Sequence, residues 1–87
     1  MSDSAGRREY LSQLRDELFQ EWEAAEQEML RVRLRVERLE SDIRIGRPVT
    51  AEYEKLKGHE LPGAEARVLE LYRDLLKLED RINLTPK

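Results

Sequence analysis

The sequence predicts an all-α protein. A long helix, a short connecting helix and a final helix form an antiparallel coiled-coil hairpin, and hairpins assemble into a helical bundle. Three observations predict it. Apolar residues recur at Leu11, Leu14, Leu18, Trp22, Ala25, Met29, Val32, Val36, Leu39 and Ile43 in steps of three and four, one stripe of an α-helix. A second stripe runs through Ala64, Val68, Leu71, Leu75, Leu78 and Ile82. Between them lie Gly46, Pro48, Gly58 and Pro62, residue types that end and restart helices. Composition agrees, since 40% of the residues are charged, which suits long helices better than a globular core.

Taken in order, residues 1–6 are small and polar and read as a flexible lead-in. Neither Gly nor Pro falls between Arg7 and Ile45, so a helix is expected over about 7–45, some ~58 Å long. From Leu11 to Trp22 its steps are three, four and four, an eleven-residue repeat. From Trp22 they form a regular heptad. The N-terminal third should therefore pack differently from the rest. Gly46 suits the left-handed position after a helix end, and Pro48 blocks propagation. Thr50 is placed to cap a short helix over 51–57, which Gly58 ends. Pro62 suits the first turn of a last helix over 63–83, with 84–87 as a tail. Residues 7–83 make a single helical-hairpin domain. Thr85-Pro86 also resembles the cap and first position of a further helix, so a frayed tail and continuation in a longer parent both stay open.

The stripes define one register. Ile43 meets Ala64, Leu39 meets Val68, and so on to Ala25 with Ile82. On one flank of that pairing Asp42 faces Arg67, Arg35 faces Asp74 and Glu28 faces Arg81, all opposite in sign. On the other flank Glu40 faces Glu65, Arg33 faces Tyr72 and Glu26 faces Glu79. Those charges are expected to point to solvent or to a second molecule.

Length and composition exclude much. An 87-residue chain buries only about 60% of its unfolded surface and needs help. With no Cys and one His, neither a disulfide nor a thiolate or histidine metal cluster supplies it. No metal and no cofactor is expected. No apolar run of about 18 residues exists, and Met1 to Gly6 lack the apolar core of a signal peptide, so a cytoplasmic location without membrane contact is expected. A net charge of −3 does not favour nucleic acid.

Oligomerisation, or docking on a larger protein, is the remaining aid. The register leaves Leu11, Leu14, Leu18, Phe19 and Trp22 unpartnered, and Leu69, Tyr72 and Leu76 form a second stripe on the last helix. These eight residues are the expected partner or oligomer interface, with Phe19 and Trp22 as anchors. A rival is that Val49, Tyr53 and Leu56 of the middle helix fold back over part of this face.

Arg31, Arg35 and Arg38 share a helix face, with Arg33 and Arg44 nearby and Arg47 at the turn. They are the candidate anion or nucleic-acid contacts. Opposite charges four residues apart (Arg33–Glu37, Arg38–Asp42, Glu40–Arg44) instead suit a solvated flank. His59 has no Ser, Cys or second His at an informative spacing. Carboxylates such as Glu37 and Glu40 sit among too many other charges to mark a site. No phosphate loop, nucleophile elbow or zinc spacing is present, so neither an enzyme nor a small-molecule substrate is expected.

The C-terminal run Leu75-Leu76-Lys77-Leu78-Glu79-Asp80-Arg81-Ile82-Asn83-Leu84-Thr85-Pro86-Lys87 resembles the end of small terminase subunits of tailed phages. There a leucine-rich helix runs into a Leu-Thr-Pro segment followed by polar and basic residues. The resemblance covers about a dozen residues. Asn83 stands where that family has glycine, and no helix-turn-helix precedes the hairpin. The resemblance implies a ring-forming oligomer that recognises DNA for packaging, and no functional residue is carried over.

Overall fold

The computed structural model describes residues 3–85, with side chains from residue 6. The element order is α1 (Asp3–Arg44), α2 (Thr50–Lys55), a π-helical segment (Leu56–Glu60) and α3 (Leu61–Leu84). Among the described residues there is no strand. The fold is an all-α hairpin in which α3 packs back along α1. Its extents are 70 × 15 × 13 Å and its radius of gyration is 19.4 Å. A globular chain of this length would have a radius of gyration of about 12 Å, so the molecule is a two-helix rod.

α1 is helical from Asp3, so residues 3–6 are not the loose lead-in expected of 1–6, and the helix ends at Arg44. Met1 and Ser2 lie outside the described residues. The end of α1 is a Schellman motif. The Gly46 N–H donates to the Ile43 carbonyl at 3.0 Å, and the Arg47 N–H to the Asp42 carbonyl at 3.0 Å. Gly46 sits at φ +87°, a conformation that costs an L-residue about 1–2 kcal/mol. The Arg47 guanidinium also reaches the Asp42 carboxylate at 3.6 Å, so charge and backbone close the same turn.

The second leg departs from expectation. Gly58 does not end a helix and Pro62 does not begin one; α2, the π segment and α3 follow one another without a break from Thr50 to Leu84. Thr50 is the first helical residue rather than the cap, and the Val49 carbonyl accepts the N–H of Tyr53. The reason for the π turn is visible in the stripe. Tyr53, Leu56, Leu61, Ala64 and Val68 are regular except for the step of five between Leu56 and Leu61. A helix that keeps both leucines towards its neighbour must absorb one extra residue. The Leu61 N–H does so by donating to the Leu56 carbonyl, five residues back. Pro62 brings no N–H of its own, so its place just after the widened turn sacrifices little. At the C-terminus Leu84 is helical rather than tail, and Thr85 is extended. Pro86 and Lys87 lie outside the described residues.

A continuous second leg moves the hairpin tip to residues 45–49 and changes the register. Arg35 pairs with Glu52 at 2.7 Å, not with Asp74, and Glu40 accepts a hydrogen bond from Tyr53. Asp42 holds Arg47 rather than Arg67, and Glu28 holds Arg31 rather than Arg81. Further along, Ala25 and Glu28 share a crevice with Ala64 and Arg67, and Trp22 shares a groove with Leu69 and Tyr72. Continued at 1.5 Å per residue, this register brings Ile82 level with Leu11 instead of Ala25. The slide is about two heptads, or ~21 Å. Because it is close to a whole number of heptads, the same two stripes still face each other.

The core is thin. Leu11, Val32, Val36 and Leu39 of α1 and Leu71, Leu75 and Ile82 of α3 are buried, with Leu39 most completely at 1% exposure. More large apolar side chains are exposed than buried among the described residues, including Phe19, Leu34, Ile45, Leu69, Tyr72 and Leu76. Two helices cannot enclose a third row of side chains, and this fold leaves one outside.

Candidate partner interface

The exposed row is ordered. On α1, Phe19 lies three residues before Trp22, and their rings stack at a tilt with centroids 5.6 Å apart. On α3, Leu69, Tyr72 and Leu76 follow at three and four residues and so share one face. The two helices meet in a groove of about 440 Å³ lined by Trp22, Met29, Glu65, Ala66, Val68, Leu69 and Tyr72. Phe19, Leu69, Tyr72 and Leu76 are each between 44% and 49% exposed, and Trp22 is half-buried. The result is one apolar strip that crosses from α1 to α3.

The expected interface residues therefore part company. Leu11 is not available to a partner. It is buried at 7% exposure, at the level where the shifted register places Ile82. Leu14 and Leu18 are half-buried on the same seam. Phe19, Leu69, Tyr72 and Leu76 stay exposed, with Trp22 at the floor of the groove. The Trp22 indole nitrogen is buried and donates to no acceptor among the described residues. An unmet buried donor costs about 1–3 kcal/mol, so this anchor is held by packing alone. Met29 and Val68 also line the groove, although the stripe alone placed them in the core.

The remaining flank features are polar. Arg33 of α1 lies 3.9 Å from the Met29 sulfur. Nearer the tip, the Lys57 ammonium donates to the Tyr53 hydroxyl at 2.7 Å, and Tyr53 donates to Glu40 at 3.3 Å. Lys57 also lies 3.7 Å from the Glu40 carboxylate. The hydrogen bond to Tyr53, followed by the field of the phenol and of Glu40, raises the Lys57 pKa from its ordinary 10.5. This triad latches α1 to the second leg, whereas the sequence pattern alone offers Tyr53 as a cover for the apolar face.

The arginine stripe is largely engaged. Arg31 holds Glu28 at 3.0 Å, Arg35 holds Glu52 at 2.7 Å and Arg47 holds Asp42 at 3.6 Å, while Arg38 is exposed. His59 lies exposed in the π segment rather than in a loop. Among the described residues no group of three or more His, Cys, Asp or Glu is placed to hold a metal ion, and no helix is long and apolar enough to cross a membrane.

No family model, curated protein or solved structure matches this chain. Its chemistry must therefore be read from its own surface, and the strip from Phe19 to Leu76 is the feature of that surface with a definite shape.

Proposed function

We propose that this protein is a non-enzymatic assembly or adaptor module, a coiled-coil hairpin that associates with protein through the strip formed by Phe19, Trp22, Leu69, Tyr72 and Leu76. The observation that carries the reading is the groove itself. Half-buried Trp22 forms its floor beside Leu69 and Tyr72, and exposed Phe19 and Leu76 extend the strip, on a fold whose core is too thin to leave such surface idle. Aromatic anchors at the centre of a patch typically supply most of an interface's free energy. The heptad spacing of the seam supports coiled-coil packing, and a third or fourth helix laid along the groove would complete a bundle. A cytoplasmic setting belongs to the proposal.

The test is the double substitution Phe19→Ala with Tyr72→Ala. Association, read as self-association by light scattering where the parent chain is oligomeric and as binding of an amphipathic partner helix by Trp22 fluorescence where it is monomeric, should weaken by at least about 2 kcal/mol. Helix content measured by circular dichroism should stay close to that of the parent, because both side chains are half exposed. Association unchanged in the double variant would remove the proposal.

The alternative, a nucleic-acid-binding oligomer of the DNA-packaging kind, rests on Arg31, Arg35, Arg38 and Arg47 and on the terminase-like C-terminal run. It has less support, because three of those four arginines already hold carboxylates of the same chain. A DNA affinity that falls steeply with salt would favour it.

A further inference from the structure

Charge around the groove narrows the occupant. Glu23 follows Phe19 by four residues and Glu26 follows Trp22 by four, so both stand on the α1 side of the strip. Glu65 lines the groove directly, and Glu79 follows Leu76 by three on the α3 side. Against these four carboxylates stand Arg33, which leans on the Met29 sulfur, and Arg73 between Leu69 and Leu76, while Arg15, four residues before Phe19, is engaged by Asp16 at 3.7 Å. All of these charged residues are at least partly exposed. An apolar floor with an acidic rim is the surface a basic amphipathic helix fits.

The same rim argues against a second copy. A two-fold related partner would present the same patch to itself, bringing Glu23, Glu26, Glu65 and Glu79 against their own kind. Like charges brought together in this way disfavour a partner strongly. The groove's α3 lining runs from Glu65 to Tyr72, and the exposed strip continues past Leu76 to the level of Glu79, ~21 Å along α3 in all, which is the length of a helix of about 14 residues. We therefore propose that the groove takes a single basic amphipathic helix of another protein, of about four turns. Apolar residues at three- and four-residue spacing would fill the strip, and flanking Lys or Arg would meet the glutamates. The proposal rests on the reading of the strip as a docking surface and adds the partner's charge and shape.

The experiment uses the whole chain and two synthetic helical peptides of about 14 residues. Both carry the same leucine stripe and no tryptophan. One has lysine on its flanks and the other glutamate. The chain has a single tryptophan, Trp22 in the groove, whose fluorescence reports binding. At low salt the lysine peptide should bind at least about tenfold more tightly than the glutamate peptide. The difference should shrink as salt rises to roughly 0.5 M, where screening is nearly complete over the distances involved. Glu65→Lys with Glu79→Lys, both exposed, should reverse the preference, with unchanged circular dichroism as the check on folding.

Equal binding of both peptides would overturn the charge inference and leave the docking surface standing. Binding of neither, with a stable dimer by light scattering that Phe19→Ala and Tyr72→Ala dissociate, would overturn it in favour of a second copy. Binding of neither by a chain that stays monomeric would overturn the inference and the docking surface together.

Discussion

Two segments of this chain carry the same helix-breaking residues, and only one of them breaks the helix. Gly46-Arg47-Pro48 reverses the chain; Gly58 to Pro62-Gly63 passes through the second leg with a single π turn. Spacing and burial separate them. At the first, Gly46 enters the left-handed region and Pro48 follows two residues later, so the carbonyls of Asp42 and Ile43 are closed by the turn itself. At the second no positive φ occurs at Gly58 or Gly63. Pro62 comes four residues after Gly58, enough for the wider turn to form first. Continuing the helix there also keeps Tyr53, Leu56 and Leu61 against α1, whereas a break would give up that contact. The lesson is that a glycine and a proline set how easily a helix can stop, while the apolar seam on either side decides whether it does.

The contrast can be broken in several ways. The largest effect is expected from Leu39→Ala, because this residue lies one turn and a half before the reversal at 1% exposure. It should cost about 2–5 kcal/mol in urea unfolding. Leu56→Ala at the half-buried edge of the π segment should cost clearly less, and equal costs would mean that the two regions are packed alike.

The two glycines give opposite signs. Gly46→Ala should lose about 1–2 kcal/mol, since alanine must adopt φ near +87°. Gly58→Ala should gain about 0.5–1 kcal/mol, because the added methyl meets nothing within 4 Å and the backbone is already helical. A loss at Gly58 would show that the helix does not run through it. Smaller still is the Arg35–Glu52 pair. Both side chains are nearly half exposed, so Arg35→Glu should cost no more than about 1 kcal/mol, and Glu52→Arg in the same molecule should restore part of it. Arg35→Glu rescued by Asp74→Arg instead would return the register expected from the stripes.

The smallest effect is at alkaline pH. A raised Lys57 pKa means that the latch with Tyr53 and Glu40 is complete below 10.5 and lost as pH rises through the higher folded value. Lys57→Met should therefore lower stability slightly, and by a constant amount, between neutral and mildly alkaline pH, and urea midpoints of the two proteins should converge only as pH rises through the higher folded value.

Much of the fold was legible. The unbroken run from Arg7 to Ile45 marked α1, Gly46 with Pro48 marked the reversal, and the stripe from Ala64 to Ile82 marked the packed face of α3. The path between was misread because Gly58 and Pro62 looked like an end and a start, while the informative feature was the five-residue step from Leu56 to Leu61. Absorbing that step keeps the second leg continuous, which puts the reversal at residues 45–49 and so decides which residues face which. It moves Ile82 from Ala25 to Leu11 and turns an expected overhang into the open end of the core. The strip was partly legible for a different reason. Leu69, Tyr72 and Leu76 lie off the seam in any register, so their exposure does not depend on the slide. The groove they form with Trp22 and Met29 does depend on it, because only the cross-helix level brings them together.

The register is thus the central claim, and spin-label distances test it most directly. The chain has no cysteine, so labels go only where cysteines are placed. Two variants suffice, Ser12→Cys with Asn83→Cys and Ala24→Cys with Asn83→Cys, each diluted with unlabelled protein so that only distances within one chain are read. With the turn at residues 45–49, positions 12 and 83 lie side by side on helices 8–10 Å apart, whereas 24 and 83 are offset by about 12 residues, ~18 Å along the rod. The distance from 83 to 12 should be the shorter of the two by a wide margin. The reverse order would restore the register expected from the stripes, with residues 46–62 as the connection, uncover Leu11 and dissolve the groove.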